Sequence, residues 1–152
     1  MQKEIKKKTS PQCVKNTVMQ SVLISEKDFR VGNFFYGNYE IEEDEKIHSV
    51  ICKILGYHPY NSFFWVENKE GIEEFCSFQK IPITEEWLFK LGFFKYNNAY
   101  VLEKPTENIM NFKFSIWNDF TYNSSEFPIE LKYVHQLQNL YFALTQRELT
   151  VA

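Results

Sequence analysis

Apolar positions in residues 133–145 recur in steps of three and four: Val134, Leu137, Leu140, Tyr141 and Leu144, with Tyr133 joining Leu137 and Leu140. That spacing predicts a C-terminal helix with one apolar face. His135, Gln136, Gln138 and Asn139 fall on or near the other side and read as its polar face. A stripe that broad, with few charges around it, needs an extended apolar surface to pack on, and a sheet supplies one. The upstream sequence has the strands for it. Residues 29–36, 48–55, 63–66 and 72–78 are short and rich in aromatic and β-branched side chains, punctuated by Gly37-Asn38, His58-Pro59 and Asn68-Lys-Glu-Gly71. Short strands joined by tight turns predict a small curled sheet or an SH3-like barrel.

A second helix is predicted over residues 84–91. Thr84 is a natural N-cap, Glu85 and Glu86 suit the positive end of the helix dipole, and Gly92 supplies a left-handed stop. Strands are expected at 93–96, 100–103, 112–117 and 127–131, with turns at Asn97-Asn98 and around Pro105 and a polar loop over 118–125. Trp87, Leu91, Leu137 and Leu144 are expected to be buried, and Trp65 and Trp117 to join the core, although an exposed Trp at either place would make a good interface anchor. The fold class expected is α+β: an antiparallel sheet packed by a short central helix and a longer C-terminal one. Residues 28–152 form its single domain. Residues 1–27 read as a basic tail, with Ser10-Pro11 able to start a helix and residues 21–25 able to form a strand instead.

Composition narrows the function classes. The chain has 152 residues, 44% apolar and 18% aromatic, with only five glycines and five prolines. Its net charge of −3 is uneven: five lysines against Glu4 give residues 1–15 a charge of +4, which leaves −7 for the rest. A broadly basic nucleic-acid-binding body is thereby disfavoured, although the lysine-rich start could make a weak phosphate contact. Three cysteines, Cys13, Cys52 and Cys76, are odd in number and form no C-x-x-C pair, as suits a reducing compartment. No apolar run approaches the roughly 20 residues that span a bilayer, and the N-terminus lacks a signal-peptide core. The expectation is a cytoplasmic protein with no membrane partner.

Candidate chemistry is sparse. His48, His58 and His135 share no metal-ligand spacing, so a zinc site would need the fold to bring Cys52 or Cys76 to a histidine. Cys76 with His135 as nucleophile and base has no local oxyanion site, and a buried apolar cysteine is the simpler reading. No cofactor and no catalysis are expected. Phe89, Phe93, Phe94 and Tyr96 interleave with Lys90 and Lys95, a mixture that stacks single-stranded bases or buries its rings while its lysines reach solvent. Glu42, Glu43, Asp44 and Glu45 form an acidic run that is either a solvated hairpin tip or a surface for a basic protein partner.

Residues 81–93 (Ile-Pro-Ile-Thr-Glu-Glu-Trp-Leu-Phe-Lys-Leu-Gly-Phe) and residues 133–145 (Tyr-Val-His-Gln-Leu-Gln-Asn-Leu-Tyr-Phe-Ala-Leu-Thr) resemble a family of small proteins encoded by phages and integrated mobile elements. The resemblance starts at a segment like Phe29-Arg-Val-Gly-Asn33 and spans residues 28–149. Family members carry glycine after Ala-Leu-Thr where this chain has Gln146, and its first ~25 residues look like an addition to the family core. The resemblance implies a non-enzymatic accessory protein. One such group, to which the chain is similar, is the anti-CRISPR proteins that inhibit RNA-guided RNases of the type VI-B kind. The partner implied is a host defence effector, bound directly with the acidic run contributing. A nucleic-acid-binding or adaptor module is the alternative. The family supplies no site residues to carry over.

Overall fold

The computed structural model describes residues 29–40, 47–58, 63–75, 78–104, 112–123 and 128–151. The N-terminal segment, the acidic run 42–45, Cys13 and Cys76 lie outside the described residues. Among the described residues, ten strands and two helices follow in chain order: β1 (Phe34–Glu40), β2 (Ile47–His58), β3 (Phe63–Asn68), β4 (Gly71–Phe75), β5 (Phe78–Gln79), α1 (Glu85–Lys90), β6 (Phe94–Tyr96), β7 (Ala99–Lys104), β8 (Phe112–Trp117), β9 (Thr121–Asn123), β10 (Pro128–Glu130) and α2 (Val134–Thr145). The architecture is α+β and its sheets are antiparallel.

The first sheet has the order β4-β3-β2-β1-β5. Laid flat, its two edge strands would stand four spacings apart, roughly 19 Å. Only residues 76 and 77 separate β4 from β5, and three Cα–Cα steps reach at most about 11 Å. The sheet therefore has to curl, and a register shift in β2 between Ile54 and Gly56 helps it bend. Inside the curl sits a small core of Phe35, Cys52, Ile54, Val66 and Phe78. Gly37-Asn38 does not form the expected turn. Both residues lie within β1, where Gly37 pairs with Val50 on one side and Phe78 on the other. Pairing on two sides overrides the local turn preference. Asn68 does cap its hairpin, its Oδ1 accepting from the N–H groups of Glu70 (2.7 Å) and Gly71 (3.1 Å).

A larger core lies between the outer side of β1, the β6-β7-β8 sheet and both helices. It unites Phe34, Ile81, Trp87, Leu88, Leu91, Leu102, Phe114, Ile116, Leu137 and Tyr141. Helix α1 begins and ends as expected. Thr84 Oγ1 accepts from Trp87 N–H (3.3 Å). At the other end, Gly92 adopts φ +86°, Gly92 N–H donates to the Phe89 carbonyl and Phe93 N–H donates to that of Leu88. These two bonds make a Schellman stop, which glycine adopts without a Cβ penalty.

Helix α2 is less simple than its stripe. Val134, Leu137 and Tyr141 enter the main core, but Leu144 is 48% exposed. Two residues read as polar-face are buried instead, His135 and Gln138. Gln138 is fully enclosed because it serves distant backbone. Its Oε1 accepts from Phe34 N–H (2.9 Å), and its Nε2 donates to the carbonyls of Gly32 and Leu149 (3.1 Å each). Beside it, Arg30 donates to both carboxylate oxygens of Glu148, sends Nε–H to Asn139 Oδ1 (3.3 Å), and lies 3.9 Å over the Phe142 ring. Asn33 Nδ2 reaches the same Asn139 oxygen at 3.0 Å. The Arg-Val-Gly-Asn segment and the C-terminal helix, both singled out in the sequence, are thus bound to each other. At the helix end Gln146 itself takes the left-handed conformation, φ +56°, and its N–H donates to the Phe142 carbonyl (2.7 Å).

Candidate interaction face

The β6-β7-β8 sheet turns one face to the core and the other to solvent. Asn97, with φ +53°, opens the two-residue turn that joins β6 to β7, the backbone sign such hairpins require. Register then sorts the side chains by twos. Tyr100, Leu102, Phe114 and Ile116 point inward and are buried. Phe94, Val101 and Ser115 form one outward row, and Tyr96, Ala99 and Trp117 form the next. Phe94 is 44% exposed, Tyr96 58% and Trp117 48%. Between Tyr96 and Trp117 is a cleft of about 330 Å³, with Ala99, Val101 and Ser115 in its lining. Val101 is only 2% exposed although it belongs to neither core cluster.

The cleft's rim is polar. Asn97 and Asn98 line it and are exposed, and the N–H of exposed Asn118 donates to the Asn98 carbonyl (3.1 Å), tying the two turns together. Asp119 follows, its Oδ1 accepting from Thr121 N–H at 3.0 Å.

The lysines that interleave with these aromatics in sequence do not share their face. Lys95 lies on the inward row with Tyr100, 5.3 Å over its ring, and donates to Glu85 Oε1 at 3.0 Å. That hydrogen bond holds the Glu85 carboxyl below its ordinary value and raises the Lys95 ammonium above its own. Lys90 pairs with Glu86 at 2.7 Å, one helical turn away, and the bond lowers the Glu86 carboxyl. Of the four rings in that segment, Phe93 is core and Phe89, Phe94 and Tyr96 are exposed.

Several sequence expectations change here. Trp65 and Trp117 were expected in the core, yet both are exposed. Alternation along a strand fixes that neighbours face opposite ways, but not which face the rest of the chain covers. The 118–125 segment, expected as loop, contains β9, whose Tyr122 stacks on Phe114 (centroids 5.0 Å apart, 18°). The structure does not place Glu42, Glu43, Asp44 and Glu45, which lie outside the described residues. No spacing rule singled out Tyr96 and Trp117 as a pair, because β7 stands between them.

A second cleft of about 310 Å³ runs between β10 and α2, lined by residues that include Glu130, His135, Gln136 and Asn139. Two of its polar side chains are committed to the fold. Gln136 Oε1 accepts from the N–H groups of Lys132 and Tyr133 at the start of α2. Asn139 Oδ1 receives Arg30 and Asn33. The His135 ring stacks between Phe35 (5.2 Å) and Tyr133 (5.7 Å). Cys52 is a buried thiol of the inner core, its Sγ 3.6 Å from the Val50 carbonyl oxygen. Among the described residues no three His, Cys, Asp or Glu side chains converge to hold a metal ion, and no helix is long and apolar enough to cross a membrane. Comparison with protein-family models, with curated proteins and with solved structures finds no match to this chain.

Proposed function

We propose that this chain is a phage-type binding protein that inhibits a host defence effector by occupying part of its surface. The resemblance of residues 81–93 and 133–145 to phage accessory proteins makes an RNA-guided RNase of the type VI-B kind the effector to test. One observation carries the reading as a binding protein: Phe94, Tyr96 and Trp117 are exposed on one face of the β6-β7-β8 sheet, and Tyr96 and Trp117 line a cleft in it. Large rings left in water are the anchors that protein interfaces use, since each removes much apolar area from water with few rotamers to freeze. The acidic run Glu42, Glu43, Asp44 and Glu45 would steer such a protein toward a basic channel and add specificity more than affinity.

The test is binding and inhibition with purified, guide-loaded effector. Wild-type protein should bind it and suppress RNA cleavage. Replacing both Tyr96 and Trp117 by alanine should weaken binding at least about 30-fold, the loss expected of a central aromatic anchor. Charge reversal of residues 42–45 should slow association at low salt and reduce its salt dependence. Wild-type association by the reversed variant would leave the run a solvated turn. Unchanged binding by the double-alanine variant would remove the aromatic face.

The nucleic-acid or adaptor reading draws on the same face, because exposed rings also stack bases. It replaces the first if the protein binds bare RNA tightly and no host protein.

A further inference from the structure

We propose that residues 147–151 are an exchangeable strap, and that the groove holding them in one chain takes the same segment of a second copy. The inference goes beyond the effector reading and does not depend on it.

The groove is built by other parts of the chain. Arg30 N–H donates to Asn33 Oδ1 (2.7 Å), Arg30 Nε–H donates to Asn139 Oδ1 (3.3 Å), and the guanidinium lies over the Phe142 ring. Gln138 is held from both ends, its Oε1 accepting from Phe34 N–H and its Nε2 donating to the Gly32 carbonyl. Gly32, at φ +95°, has no room for a side chain, since a Cβ there would stand 2.8 Å from a Glu148 carboxylate oxygen. The strap takes up what these groups still offer. Its Glu148 carboxylate accepts from both terminal nitrogens of Arg30, and its Leu149 carbonyl accepts from Gln138 Nε2 (3.1 Å). The Leu149 side chain is fully buried in the main core. A bidentate carboxylate followed directly by a buried leucine is a recognition element, and its receptor is already in place. The same contacts form whichever chain supplies it.

A single hinge decides which chain that is. Gln146 adopts φ +56°, which turns the chain back at the end of α2 and lets the strap reach its own groove. A residue with a side chain is disfavoured in that conformation. When Gln146 takes the helical conformation instead, α2 runs on and carries the next five residues about 7.5 Å along its axis, away from the groove. The strap belongs to no helix or strand, so its departure breaks no backbone ladder. Exchange therefore keeps the strap's contacts and releases the hinge. Made in both directions, it is a two-fold arrangement that closes at two chains. The tethered strap holds the advantage in dilute solution, and exchange gains with concentration.

The test uses full-length chains. Arg30→Glu and Glu148→Arg each set like charges against one another within the chain, and each does so again in a dimer with itself. Mixed, the two variants fill both grooves favourably only by exchange, with one native pair and one reversed pair. Light scattering should show the mass doubling from 18.3 kDa in the mixture. The mixture should hold at least about tenfold more dimer than either variant alone, as two bidentate pairs gained together predict. A chain carrying both substitutions restores the pair internally and should behave as wild type. Folded variants that stay monomeric on mixing would overturn the proposal. A second arm needs no charge reversal and decides the matter if either variant fails to fold. Wild-type chain, unfolded in urea and refolded at millimolar concentration, should yield a dimer. Gln146→Gly frees the hinge of strain and should reduce that dimer at least about fivefold. No dimer, or one that Gln146→Gly leaves unchanged, would overturn the proposal as well. The effector is absent from both arms, so their failure leaves the effector reading to its own assay.

Discussion

Gln138→Leu removes an amide and leaves the side chain nearly the same size, so it isolates what the hydrogen bonds of a fully enclosed glutamine contribute. Three backbone groups lose their partner together: the Phe34 N–H and the carbonyls of Gly32 and Leu149. These groups belong to segments more than 100 residues apart, and Gln138 itself has no exposed surface. Leaving a buried polar group unsatisfied costs about 1–3 kcal/mol. Leucine returns about 1.5–3 kcal/mol through apolar burial. Against about 3–9 kcal/mol for the three groups together, a net loss centred on about 4 kcal/mol follows, a large share of the about 5–15 kcal/mol that holds a domain folded. Urea unfolding followed by tryptophan fluorescence reads the loss directly, and the melting temperature should fall by on the order of 10 °C for a chain of this size. The denaturant slope should stay constant, because the surface exposed on unfolding is unchanged. A loss below about 1 kcal/mol would refute the reasoning. It would mean that water reaches all three groups and that Gln138 is not what seals them.

Gln146→Gly should stabilise the fold by about 0.5–1 kcal/mol, since Gln146 sits at φ +56° where a side chain is strained and glycine is not; a thermal melt that falls instead would contradict a left-handed helix stop. The lowered Glu85 carboxyl predicts a pH effect whose sign is fixed. Its folded value lies below its unfolded one, so its stabilising contribution is present above the unfolded value and is lost as pH falls through the lowered folded value. Lys95→Met should return the Glu85 side-chain titration, followed by carbon NMR, toward the ordinary carboxylate value and flatten that part of the acid limb. No change in the titration would remove Lys95 as the cause.

What the sequence by itself determined was local. Helix α1 was legible to within a residue because its signals all lie within ten positions: Thr84 caps the first turn, two acids follow, and Gly92 closes the last. The Asn68–Gly71 hairpin and the Asn97-Asn98 turn were legible for the same reason, since each is held by bonds between neighbours. The α+β class and most strand positions followed from alternation and turn chemistry, but β9 lies in a stretch expected as loop and residues 72–78 split into β4 and β5.

Only the tertiary structure decided which faces are covered. Gln138 and His135 looked like solvent-side residues because helical periodicity counts hydrophobicity, and their partners lie on the Arg-Val-Gly-Asn segment and on Phe35, about a hundred residues earlier. Leu144 continued the apolar stripe, yet it stays half exposed. Gly37-Asn38 read as a turn until β5 came to pair with β1 from the far end of the curled sheet. The aromatic cleft was the least legible feature of all. Tyr96 and Trp117 are twenty-one positions apart, and they share a row only because β7 runs between them with alanine at the matching place. Periodicity is a property of one element, whereas a binding face is a property of how elements are placed side by side.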